Sequence, residues 1–200
     1  MVNLSKLMSL KNRKALITGA NGHIGRIIAL TLAELGADLI LVDRHGSDYT
    51  KLTNEITNNF KVDVQKYDCD LGIQNDREEL ISTLCKKGAP LNILVNNAAF
   101  VGDTNLEGWV TDFEQQSVDT WRSALEVNLT AAFNLIQGLS PLLKESKGAN
   151  VINIGSTYGV WAPDHRLYEE TSMGNPAAYA VSKAGLIQLT RWLATTLAKS

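Results

Sequence analysis

A short apolar run, Lys14 to Thr18, leads straight into Thr18-Gly19-Ala20-Asn21-Gly22-His23-Ile24-Gly25 and then into helical periodicity from Ile24 to Leu35. A strand that turns through glycines into a helix can hold that helix N-terminus against an anion. Glycine lets the main chain approach closely, and the first helical N–H groups have no partner within the helix. The segment therefore has the context of a phosphate-binding turn. A purely structural strand-to-helix turn uses glycine too, so this segment alone leaves both readings open.

The pattern that follows repeats the theme. Gly36 stops the first helix, and Asp38 to Val42 reads as a second strand, before a helix around Tyr49 to Asn58. Val62 to Tyr67, Leu91 to Val95 and Val151 to Ile154 read as further strands, with helices over Gln74 to Lys86, Val118 to Leu143 and Ala178 to Ala198. Strands alternating with helices imply right-handed βαβ crossovers and a parallel sheet covered on both faces. The expectation is an α/β fold, a doubly wound parallel sheet of strand order 3-2-1-4-5, formed by residues 1–200 as one domain. A polar irregular stretch at about 157–177 interrupts it and suits a binding loop.

Composition removes other classes. A formal charge of −2 with scattered lysines and arginines offers nothing to neutralise phosphate backbones, so no nucleic-acid partner is expected. Cys69 and Cys85 form no CxxC pair, and His23, His45 and His165 lie far apart, so neither a metal site nor a disulfide framework is expected. Met1 to Leu10 lacks the pattern of a signal peptide, and no run approaches the roughly eighteen apolar residues that span a bilayer. A cytoplasmic protein without membrane contact is the expectation.

Two carboxylates and one helix sharpen the functional reading. Asp43 ends the second strand eighteen residues after Gly25, where a carboxylate can meet ribose hydroxyls and repel an added phosphate. That favours NAD over NADP, although Arg44 beside it could soften the preference. Asp70, after the third strand, could hydrogen-bond an adenine edge or serve as an ordinary loop carboxylate. Tyr179-Ala180-Val181-Ser182-Lys183 puts a phenol and an ammonium four residues apart on one helix face. A tyrosine ordinarily titrates near pH 10, and a neighbouring Lys⁺ favours the ionised form that proton transfer near neutrality requires.

Read together, these segments resemble the short-chain dehydrogenase/reductase family. Thr18 to Gly25, Asp70, Asn96-Asn97-Ala98-Ala99, Asn128, Ser156 and Tyr179 with Lys183 occur in the family's order over nearly the whole chain. The resemblance implies an NAD-dependent oxidoreductase interconverting a secondary alcohol and a ketone. Tyr179 would be the acid/base, Ser156 the hydroxyl orienting the substrate oxygen, Lys183 the group holding the nicotinamide ribose, and Asn128 the positioner of a water. Gly19, Asn21, Gly22, His23, Ile24, Gly25, Asp43, Asp70, Asn97 and Ala98 would join Tyr179 and Lys183 in holding the cofactor. For the asparagine turn a structural role is at least as plausible as direct contact.

The chain also departs from the family. Gly22 gives the spacing TGxxGxxG, which resembles a longer-chain branch acting mainly on nucleotide-linked sugars, and Ala99 stands where the family usually has glycine. The loop with Asp164, His165 and Arg166 resembles members from bacterial surface-sugar and flagellin-glycan pathways, and suits a polar, sugar-like small-molecule substrate. Family members continue past the Tyr/Lys helix into further strands and a lid, whereas this sequence stops at Ser200, so a fragment or a chain lacking part of its active-site wall is expected. The helices around Val118 to Leu143 and Ala178 to Ala198 resemble those the family pairs across a two-fold, which suggests a homodimer or homotetramer. A non-catalytic dinucleotide-binding module and a nucleotide-sugar epimerase or dehydratase are the alternatives.

Overall fold

In the computed structural model, described over residues 4–102 and 106–197, a five-stranded sheet runs in the order β3-β2-β1-β4-β5. Its strands are β1 Lys14–Thr18, β2 Asp38–Asp43, β3 Val64–Asp68, β4 Ile93–Asn96 and β5 Asn150–Asn153. The helices are α1 Leu4–Leu7, α2 His23–Glu34, α3 Thr50–Asn59, α4 Gln74–Lys87, α5 Val118–Leu125, α6 Ala131–Lys144 and α7 Ala177–Leu197. β1 pairs in parallel with both β2 and β4, and β2 with β3. This is the doubly wound, Rossmann-type arrangement that the alternation implied. The expected helix end at Ala198 lies outside the described residues.

Central strands covered on both faces read as apolar runs, and β1, β2 and β4 do so apart from polar residues at their ends. Leu16, Ile17, Leu39, Leu41 and Leu94 are fully buried, each such side chain contributing roughly 1.5–3 kcal/mol. The buried stripe of α2 is Gly25, Ala29 and Ala33, one small residue per turn, and it brings the helix close onto β1 and β2.

The long helix read from Val118 to Leu143 is not continuous. A π turn over Glu126–Thr130 separates α5 from α6 and places Asn128 in its middle. Such turns are rare and concentrate at functional sites. Apolar periodicity does not reveal one, because the spacing of Ala124, Leu135, Ile136 and Leu139 still fits a helix on either side.

The chain groups into two compact units. One comprises residues 1–98 and 135–152, and the other residues 99–134 and 153–200. Among the described residues no helix is long and apolar enough to cross a membrane, and no cluster of His, Cys, Asp and Glu could hold a metal ion.

Candidate active site

In the first unit, β1 ends in a turn that only glycine can build at two positions. Gly19 has φ +63°, and a Cβ there would lie 2.9 Å from the Ala98 Cα. At Gly25 a Cβ would lie 2.1 Å from the Gly19 carbonyl oxygen, so any side chain would push the first turn of α2 off the loop. Gly22 differs. Its φ is −67°, and a Cβ would come no closer than 3.2 Å to the Gly19 oxygen. The middle glycine, whose position suggested a nucleotide-sugar branch, is thus the least constrained of the three.

The asparagine turn after β4 clamps this loop. Asn97 Nδ2 donates to the carbonyls of Thr18 at 2.9 Å and Gly19 at 3.1 Å. The Thr18 hydroxyl accepts from the main-chain N–H groups of Asn97 and Ala98 at 3.0 and 3.1 Å. Asn97 and Ala98 therefore shape the turn, the structural role that the sequence allowed. No side chain caps the N-terminus of α2 at Gly22, so the first N–H groups, those of His23, Ile24 and Gly25, have no partner within the helix. Asn21 Nδ2 is buried and accepted by nothing among the described residues. An uncapped helix end, a cradle that a Cβ would fill and an orphaned buried donor together fit the pyrophosphate of a dinucleotide.

The carboxylates at the neighbouring strand ends are already engaged. Asp43 accepts from the Asn21 N–H at 2.8 Å through Oδ2, and from the Arg44 N–H at 2.9 Å and the Ser47 hydroxyl at 3.3 Å through Oδ1. Asp70 Oδ1 accepts from the Gly72 N–H at 2.8 Å, closing the turn before α4. Asp43 thus fastens its own loop and the glycine turn through its two oxygens, and Asp70 fastens its loop through Oδ1, the loop-carboxylate role that the sequence allowed.

In the second unit, α7 carries Tyr179 and Lys183 one turn apart, with Lys183 Nζ 6.0 Å from the Tyr179 ring centroid. Lys183 is buried, and its ammonium donates to the Ile154 carbonyl at 2.7 Å. Burial pulls its pKa down to about 8. Ser156 caps the short helical turn Thr157–Gly159, its oxygen accepting from the Tyr158 N–H at 3.2 Å, which leaves the hydroxyl hydrogen free to donate. Gly159 makes that turn possible, since a Cβ there would lie 2.8 Å from the Lys183 carbonyl carbon.

Asn128 is buried in the π turn and joined to the same helix. Its Oδ1 accepts from the Phe100 N–H at 2.6 Å, and its Nδ2 donates to the Phe100 carbonyl at 3.2 Å and to Ser182 Oγ at 3.0 Å. Ser182 in turn donates to the Tyr179 carbonyl at 2.8 Å. The Asn128 amide is thereby spent on tying Phe100 and Ser182. Ser182 received no role from the sequence, although its place three residues after Tyr179 on the buried face was the available signal.

A cavity of about 640 Å³ opens beside α7, reaching Ala177 and Ala180 and walled by Trp109, Asp112, His165 and Asn175 among others. Neither Tyr179 nor Ser156 is part of its lining. The charged loop behaves differently from the expectation that its ionisable groups await a substrate. Asp164 and Arg166 are exposed and paired with each other at 2.7 and 2.8 Å, so of those three residues only His165 faces the cavity.

The chain matches the short chain dehydrogenase family over residues 13–200, and it belongs to that family. It is 34% identical over 193 residues to a rhamnolipids biosynthesis 3-oxoacyl-[acyl-carrier-protein] reductase of Pseudomonas aeruginosa, covering 94% of this chain and 68% of the relative. The Pseudomonas aeruginosa RhlG/NADP active-site complex superposes with a TM-score of 0.78 at 32% identity, over 96% of this chain and 69% of that one. A metagenomic short-chain oxidoreductase in complex with NADP gives a TM-score of 0.80 at 27% identity, over 95% and 77%. The fold and the family define an oxidoreductase dependent on a nicotinamide dinucleotide.

The preference for NAD over NADP does not survive these comparisons. Besides the two NADP complexes, similar short chain dehydrogenases from Escherichia coli and Shigella flexneri hold NADPH and NADP. At that position the Asp43 carboxylate keeps its charge but has both oxygens engaged by main-chain N–H groups, and the exposed Arg44 next to it carries the opposite charge.

Proposed function

We propose that the chain reversibly converts a secondary alcohol to a ketone, with Tyr179 exchanging the proton and a nicotinamide dinucleotide, phosphorylated or not, held through its pyrophosphate by the Gly19–Gly25 turn. The observation that carries this reading is the buried ammonium of Lys183 beside the Tyr179 ring on α7. The pair sets a hydroxyl able to carry a proton one helical turn from a buried ammonium on the same helix. Ser156 donates its hydroxyl hydrogen to the substrate oxygen, which holds the reacting carbon in line and stabilises negative charge as it develops. In the oxidative direction the alcohol proton passes to Tyr179 Oη. The bound dinucleotide supplies the hydride acceptor for that oxidation and the donor for the reverse. Asn128 and Ser182 act as positioning residues that fix α7 against the Phe100 main chain.

The substrate we infer is polar and sugar-like, supported by Asp112, His165 and Asn175 in the wall of the cavity beside α7. A place in surface-sugar or flagellin-glycan assembly would follow from such a substrate. A second reading, a 3-oxoacyl thioester, is favoured by the exposed apolar side chains of Phe113 and Met173 at the same cavity and by what the Pseudomonas aeruginosa relative reduces. Following cofactor absorbance at 340 nm with polyols, sugar acids and acetoacetyl-CoA separates the two, and turnover of acetoacetyl-CoA alone would overturn the sugar-like reading. Exposed Val118 at the start of α5, Phe133 on α6, and Val181 and Trp192 on α7 support a homodimer or homotetramer. Sedimentation as a monomer at micromolar concentration would contradict that.

A further inference from the structure

The segment entering α7 is held more tightly than a surface loop requires. Gly174 packs where a Cβ would lie 2.7 Å from Val110 Cγ1. Pro176 is buried and confines the preceding backbone to extended geometry. The Ala177 N–H donates to Gln116 Oε1 at 3.2 Å, and the Tyr179 N–H to the Pro176 carbonyl at 3.1 Å. Between these anchors stands Asn175, four residues before Tyr179 and part of the cavity wall. Its Oδ1 is buried and receives no hydrogen bond among the described residues. Beside it the hydroxyls of Tyr158 and Tyr168 bond to each other at 2.6 Å, and Asn175 also interacts with Tyr168.

A buried amide oxygen that receives no hydrogen bond is costly. The terminal torsion of asparagine is soft, so the amide can turn its oxygen toward the cavity when a donor arrives. We propose that Asn175 is a specificity-determining residue, its Oδ1 accepting a hydrogen bond from a hydroxyl of the substrate portion that occupies the cavity, distal to the carbon being oxidised. The enzyme then selects hydroxylated secondary alcohols over equally sized unsubstituted ones. This rests on the polar-substrate reading above and names the residue that enforces it.

Cyclohexanol, cyclohexane-1,3-diol and myo-inositol present the same ring with increasing numbers of hydroxyls. The wild-type chain should show a higher kcat/KM for the hydroxylated rings than for cyclohexanol. Asn175→Leu should lower that ratio about tenfold, mainly through KM, and Asn175→Asp, which keeps an acceptor oxygen, should recover much of it. A change in overall folding alone would lower all three rates together and leave the ratio intact. If Asn175→Leu does not fold, Asn175→Ser, too short to reach the same point, supports the same comparison. A wild-type preference for the hydroxylated rings that persists undiminished in a folded variant overturns the role of Asn175 alone. No preference in the wild type overturns the polar-substrate reading and this inference with it.

Discussion

Lys183 places its ammonium 2.7 Å from the carbonyl oxygen of Ile154, the residue that follows β5. One hydrogen bond does not compensate a buried charge fully, which is why its pKa falls to about 8 from 10.5. The folded chain therefore prefers the neutral amine relative to the unfolded chain. Below pH 8 both states carry the charge and the folded state bears the whole penalty. Between pH 8 and 10.5 only the unfolded state still binds the proton, so stability rises with pH across that window. The difference in unfolding free energy between wild type and Lys183→Met should accordingly move by about 3 kcal/mol in favour of wild type from pH 8 to 10.5. Urea denaturation midpoints measured at pH steps report it, and a flat difference would mean that the ammonium is not desolvated.

The glycine turn makes a contrast that can be read without any substrate. Gly25→Ala forces a Cβ onto the Gly19 oxygen and should abolish dinucleotide binding, whereas Gly22→Ala needs a shift of a few tenths of an ångström and should retain it within about threefold. Titration calorimetry with NADP on both variants decides the matter. Equal losses would show that the middle glycine matters for more than space.

Arg44 stands exposed beside a carboxylate that faces its own loop. The wild-type chain should bind NADP at least as well as NAD, and Arg44→Ala should weaken NADP by about fivefold while leaving NAD unchanged. Salt should narrow the gap. Equal effects on both dinucleotides would remove Arg44 from phosphate recognition.

The fold was legible because strands buried on both faces announce themselves as apolar runs, and β1 of Lys14–Thr18 matches its sequence reading at both ends. Tyr179 and Lys183 were legible as a motif, and the structure puts them on one helix with Lys183 buried. What the sequence concealed lies in hydrogen-bond geometry. Asp43 read as a ribose acceptor but fastens its own loop, Asp70 takes the loop-carboxylate bond that was one of its two readings, and Asp164 and Arg166, read as groups suited to a polar substrate, pair with each other. Gly159 carried no pattern of its own, and Ser182 only its helical spacing from Tyr179. Each is defined by what it meets from a distant segment, Asn128 in one case and the α7 backbone in the other.

Asn128 satisfies three polar partners at once, so Asn128→Ala leaves the Phe100 N–H and carbonyl and the Ser182 hydroxyl without it. Destabilisation of about 1–3 kcal/mol should follow, together with a fall in kcat, because the helix bearing Tyr179 loses its fastening. Asn128→Asp should keep the bond accepted from Phe100 and recover part of the stability. Equilibrium unfolding alongside steady-state rates tests both, and full activity in a destabilised Asn128→Ala would confine the residue to folding.

The central claim is that the Tyr179 hydroxyl moves the proton, and Tyr179→Phe tests it most directly because the ring and its packing survive while only that oxygen is lost. Turnover should fall by about 10²- to 10⁴-fold, with NADP and NAD affinity measured in the same preparation unchanged within about threefold. A variant that binds the dinucleotide normally and still turns over at a rate close to wild type would contradict the account.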